Sequence, residues 1–170
     1  MSEEGAKTYA DFVLPASIVS KLDIAHVVEE AERIDGELTA ATVRARVGAA
    51  GGDEPAMSER LTDFLQANGL RLSDDRQRSE LIKQLHLLKD KVPIIHMTFA
   101  VEADPDSLGQ LALWLRESIH PQTVIDVGLQ PALVAGVYLR TPNRVHDLSL
   151  RAKLRGSRDL LVQELGGARG

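Results

Sequence analysis

The hydrophobic pattern of this chain changes period at Pro93, and that change limits the fold more than any other feature. Before it, apolar residues recur at steps of three and four, the spacing of one helix face. After it, Ile95, Met97, Phe99 and Val101 alternate with other residues, the spacing of a half-buried strand. The expected fold class is therefore α+β, with an N-terminal all-α helical bundle over 1–92 and a small β-α-β-β-β-α C-terminal domain over 93–170.

In the first part, Ile24, Val27, Val28, Ala31, Ile34 and Leu38 form one apolar stripe. Asp23 is the expected N-cap, Gly36 a break, and Thr39 the cap of a short second helix through Val43 and Val47. The stretch Gly48 to Pro55, GAAGGDEP, reads as a linker. Ser58 is expected to cap a helix that buries Leu61, Phe64 and Leu65 and stops at Asn68–Gly69. Ser73 opens another, with Leu81, Ile82, Leu85 and Leu88 inward. Past Pro93, a strand over Ile94–Val101 leads to a helix capped by Asp104, with Pro105 at its first position. Leu108, Leu111, Ala112 and Leu115 face inward. Trp114, the one tryptophan, sits a step off that stripe and is expected to be partly exposed. Strands over 123–127, 134–140 and 144–147 and a final helix from about Ser149 to Leu165 complete the pattern.

Composition narrows the chemistry. Aromatics make up 4% of the 170 residues, so the cores must rest on aliphatic side chains. There is no cysteine, which excludes disulfides, thiolate catalysis and cysteine-ligated metals. The net charge is −5. From Pro93 onward eight acidic and eight basic residues balance, so the acidic excess lies in the first part. An acidic chain is a poor non-specific ligand for nucleic acid. No apolar stretch approaches the ~20 residues that span a bilayer. The opening MSEEGAKTYA is acidic and polar, unlike a signal peptide, so the protein is expected to stay in the cytoplasm.

No motif carries catalysis. His26, His86, His96, His120 and His146 lack the i, i+4 spacing of a helical zinc site, and each reads better as a surface or structural histidine. No GxxxxGK or GxGxxG loop is present, and Ser107, Ser118 and Ser149 lack a GxSxG elbow. Asp126 and Asp147 could form a carboxylate pair, but Asp147 precedes the last expected helix, where a carboxylate favours the helix dipole. Arg151, Lys153, Arg155 and Arg158 cluster on that helix. They read as a solvated face, or as a docking face for an acidic helix. The chain is expected to be a non-enzyme with no cofactor or metal.

One ungapped run, PALVAGVYLRTPNRVHDLSLRAKL from Pro131 to Leu154, reads as a strand, a turn, a second strand and the start of a basic helix. It resembles the signature of the delta subunit of F-type ATP synthases, the oligomycin-sensitivity-conferring protein family. Pro131, Leu133, Gly136 and Val137 match the turn and first strand. Arg140, Arg144, Val145 and Asp147 match across the hairpin, and Ser149, Arg151 and Leu154 match the opening of the helix. The family's first glycine is Ala135 here, its turn glycine is Pro142, and two more are Leu148 and Ala152. The likeness covers Pro93 to Leu165. Before that, only the stretch from Leu61 to Asp90 resembles the family's helical bundle, and about four helices stand where the family has six.

The resemblance implies a peripheral-stalk (stator) subunit that links the catalytic head, made of alpha and beta subunits, to the b-subunit stalk. It implies a position at the cytoplasmic face of the plasma membrane, held there only through the complex. It also implies helix-in-groove docking to the head, with Leu61, Phe64 and Leu65 as candidates, and stalk docking supported by the region Gly136 to Leu154. A free-standing helical adaptor that carries a delta-like C-terminal domain is the competing reading, motivated by the unusual first 92 residues.

Overall fold

A computed structural model describes residues 7–48, 55–133, 135–141 and 143–148. The fold is α+β: helices come first, and a mixed four-stranded sheet with a further helix follows. Among the described residues, two compact units emerge, one within Met1–Pro93 and Gly109–Val124, the other within Ile94–Leu108 and Ile125–Gly170. Pro93 thus marks the change of pattern, while the compact units also divide the helix that follows the first strand.

The first helix, α1 (Lys21–Arg46), is a single element where the sequence suggests two. Ser20 is its N-cap, and Asp23 stands three residues in as the reciprocal member of a capping box. Gly36 does not break it. Glycine within a helix costs only about 1 kcal/mol relative to alanine, and burial of Ile24, Val27, Val28, Ala31 and Ile34 outweighs that. Thr39 caps nothing, because the helix runs on through it.

Helix α2 (Glu59–Asn68) follows its expected signals: Ser58 accepts from the backbone N–H of Leu61, and Gly69 ends it in the left-handed region at φ 64°. Helix α3 (Asp75–Lys91) is capped by Asp74 rather than Ser73, because the Asp74 carboxylate reaches two backbone donors, Arg76 and Gln77. Both α2 and α3 pack on α1. Arg78, buried on α3, pairs with Asp35 of α1 at 2.8 Å and with Asp75 at 2.8 Å.

The segment before α1 has only a short 3₁₀ turn, Tyr9–Asp11. Yet Phe12, Leu14 and Ile18 are core residues, and Phe12 meets Phe64 edge-on at 5.3 Å between ring centroids. A buried segment without a ladder must satisfy its backbone groups some other way. Side chains do so here. Asn68 accepts from the Val13 N–H and donates to the Val13 carbonyl. Gln122 donates to the carbonyls of Tyr9 and Phe12. Arg116 donates to the carbonyls of Leu14, Pro15 and Ile18, and to that of Thr123.

Arg116 lies on α4 (Pro105–Ser118). No carboxylate is paired with it among the described residues, and burial pushes its guanidinium down to about 10, so it stays charged at neutral pH. Gly109 of the same helix passes close to the segment. A Cβ there would stand 3.2 Å from the Ala16 carbonyl oxygen. The start of α4 is capped as expected, with the Ser107 N–H donating to Asp104 at 2.9 Å.

Strand β1 (Ile94–Phe99) buries Ile95 and Met97 and ends before the exposed Val101. Strand β2 (Val124–Leu129) starts and ends later than its apolar pattern suggests. Its N–H at Val124 meets the carbonyl of Pro93, and that of Gln130 meets Phe99. The constant offset makes β2 parallel to β1. A 3₁₀ turn, Pro131–Leu133, leads to β3 (Val137–Arg140), which runs antiparallel to β1, and β4 (Val145–Asp147) returns antiparallel to β3. The sheet order is β2-β1-β3-β4. The expected last helix, 149–165, lies outside the described residues.

Arg116→Met is expected to cost roughly 3–5 kcal/mol, because it strands several buried carbonyls at once. Chemical denaturation checks this, and a loss under 1 kcal/mol (about the worth of one ordinary hydrogen bond) would contradict the clamp. A second expectation concerns pH. Hydrogen bonds from Ser107 hold the Asp104 carboxyl below its ordinary range. Such a group contributes stability above its unfolded value and loses that contribution as pH falls through its lower folded value. The Ser107 amide should therefore lose exchange protection on acidification below the usual aspartate range, and Asp104→Asn should flatten that dependence.

Candidate docking surfaces

The helical unit contains an open apolar groove of about 620 Å³. Its floor comes from the α1 stripe, through Ile34 and Leu38. Leu65 of α2 forms one wall, and Leu70 and Leu72, after the Gly69 turn, form another. Met57 stands exposed at the rim, just before α2. Ser58 places this rim against α1, because its N–H and hydroxyl both donate to the Glu30 carboxylate.

The three head-docking candidates therefore separate. Leu65 lines the groove. Leu61 and Phe64 are fully buried, so they anchor α2 and present no face of their own. Their burial follows from helix geometry: in the ten-residue helix α2, packed on α1, the i, i+3, i+4 positions turn inward together. Beyond the groove, α1 continues through Arg46; Val43 on it and Val47, just past its end, are exposed. Trp114 is 58% exposed on α4, in keeping with its place off the stripe.

The motif residues of the sheet unit take several roles. Pro131 opens the 3₁₀ turn and Leu133 closes it as a buried side chain. Gly136 has φ 99°, a region that L side chains rarely adopt. The glycine is thus required by backbone conformation just before β3, a sharper reason than close approach alone. Arg140 lies directly across from His96 in the β1–β3 ladder, and Asp147 across from Tyr138 in the β3–β4 ladder. Ser149, Arg151 and Leu154, with the rest of the basic cluster, lie outside the described residues.

The ladder brings Arg140 and Tyr138 beside His96 and Thr98 on one sheet face, around a concavity of about 520 Å³. His96 Nδ1 is 2.7 Å from Asp126 Oδ2, so the imidazole is oriented by the neighbouring strand. Asp126 therefore belongs with His96. The sequence reads His96 as a surface or structural histidine and gives no sign of this partner, because the crossover that aligns β2 with β1 leaves no local signal. Arg116 is missed as well, although a charged residue next to Leu115 and four after Ala112 is a visible anomaly.

Among the described residues, no group of three His, Asp or Glu side chains could hold a metal ion, and no helix is long and apolar enough to cross a membrane. No protein-family model matches the chain, and no curated protein matches it.

Gly136→Val should destabilise the protein by at least about 1–2 kcal/mol, the cost of forcing an L residue into a left-handed conformation. An unchanged melting temperature would remove the backbone requirement assigned to Gly136.

Proposed function

We propose that this chain is a non-catalytic peripheral-stalk subunit of a proton-translocating F-type ATP synthase. It would join the alpha/beta head to the b-subunit stalk and resist the torque of the rotor. The observation that carries the reading is the ungapped run from Pro131 to Leu154 and its likeness to the delta family. The positive φ of Gly136 supports it, because one of the matched residues stands where the backbone specifically favours glycine.

The groove supports the other half of the reading. Helix-in-groove recognition needs an apolar channel long enough to take several turns of an amphipathic helix. The channel of Ile34, Leu38, Leu65, Leu70 and Leu72 has that chemistry, and Met57 at its rim offers an adaptable side chain. In this reading it receives an apolar helix face from the head. The sheet unit supports contact with the stalk, where torque is met by mechanical stiffness and no bond is made or broken.

A tagged chain recovered from detergent-solubilised membranes should bring alpha, beta and b subunits with it. Leu38→Glu places a charge in the groove and should weaken head binding by about tenfold or more, with b-subunit recovery retained. Recovery of none of these subunits from membranes that hold an active synthase would overturn the proposal.

A further inference from the structure

We infer that the isolated chain forms a weak dimer with a second copy of itself through the outer face of α1, the two helices antiparallel and centred between Ala40 and Val43. The inference goes beyond the stalk reading and holds whether or not the chain joins a synthase.

Three observations carry it. The first is an uncovered helix face. The last buried residue of α1 is Ile34, and from there to Arg46 only Asp35, Leu38 and Ala41 are half-buried. Gly36, Ala40, Val43 and Val47 follow one another at helical steps of four, three and four, so they share one face. By helical periodicity that face lies opposite the Ile34 and Leu38 stripe that floors the groove. Val43 is 55% and Val47 77% exposed. The second is Gly36 itself. Glycine is among the weakest helix formers, and nothing in its own chain calls for one here. A Cβ on Gly36 would meet no atom within 4 Å. A second helix crossing over Gly36 supplies the close neighbour that the single chain lacks.

The third is self-complementarity. Steps of four and three repeat the seam of a coiled coil. In the antiparallel pair, Ala40 faces Val43 of the copy and Gly36 faces Val47. Each valine therefore meets a small residue, and the layers interlock. The charges agree with this register. Glu37 and Arg44 flank the seam on one side, and antiparallel pairing sets Glu37 beside Arg44 of the copy, twice by symmetry. Glu37 meets Arg33 of its own helix through Oε1 alone, and Arg44 has no carboxylate partner among the described residues. Parallel pairing would bring Arg44 beside Arg44. Sliding by one heptad would set Gly36 against Ala40 and Arg33 against Val43, which leaves a gap and buries a charge.

Sedimentation equilibrium of the purified chain should show a reversible monomer–dimer equilibrium with a dissociation constant on the order of 0.1 mM, as suits so short a seam. Gly36→Leu separates pairing from folding. It should raise the melting temperature of the dilute monomer, because leucine favours helix and has open space there, and weaken the dimer about tenfold or more. If Gly36→Leu fails to fold, the exposed Arg44 decides: Arg44→Glu should weaken the dimer, and adding Glu37→Arg in the same chain should restore it. The chain has no cysteine, so disulfides can read the register. Ala40→Cys and Val43→Cys chains, mixed and oxidised, should give mostly the crossed dimer. A wild-type chain that stays monomeric up to about 1 mM overturns the inference. So does a dimer whose affinity Gly36→Leu and Arg44→Glu leave unchanged, and so does a crossed disulfide no more abundant than the uncrossed ones.

Discussion

The helical unit depends on one arginine. Arg116 carries a buried positive charge with no carboxylate beside it among the described residues, and it spends that charge on carbonyl oxygens of the segment before α1. Those carbonyls belong to a stretch that enters the core without joining any helix or sheet. Unpaired, each would carry a desolvation cost of about 1–3 kcal/mol. Asn68 and Gln122 serve the same segment from α2 and from the turn before β2. The C-terminal part of α4 is thereby bound to the helical unit, and the compact units do not divide simply at Pro93.

This arrangement bears on the functional reading. A stator element must transmit force without yielding, and a segment held by several side chains from separate elements gives way only when those elements separate. The groove between α1 and α2 sits on the same scaffold, with Leu61 and Phe64 fixing the wall that Leu65 presents. In the sheet unit, the ladders that put Arg140 opposite His96 and Asp147 opposite Tyr138 hold the described strand residues of the motif that motivates the delta resemblance. The proposal rests on mechanics and recognition and asks for no bond to be made or broken.

Local signals were legible where local physics decides. Ser58 and Gly69 delimit α2, Asp104 and Pro105 open α4, and the alternation of Ile95 and Met97 marks β1. Signals failed where a competing local choice or a distant partner decides. Gly36 and Thr39 suggested a break that the buried stripe of α1 overrides. Asp74 displaced Ser73 because its carboxylate serves two donors. Arg116, Asn68 and the His96–Asp126 pair act across long sequence separations, and nothing in their neighbours points to those partners. Of the site candidates, Leu65 and the strand residues of the motif could be placed by pattern. The interior position of Leu61 and Phe64 needed the packing of α2 on α1.

The central claim concerns a place within a large assembly, so imaging of that assembly addresses it most directly. Electron cryo-microscopy of the synthase purified from native membranes should show this chain at the top of the catalytic head, one copy per complex, in contact with the stalk. A complete, coupled synthase whose density has no room for the chain would contradict the account.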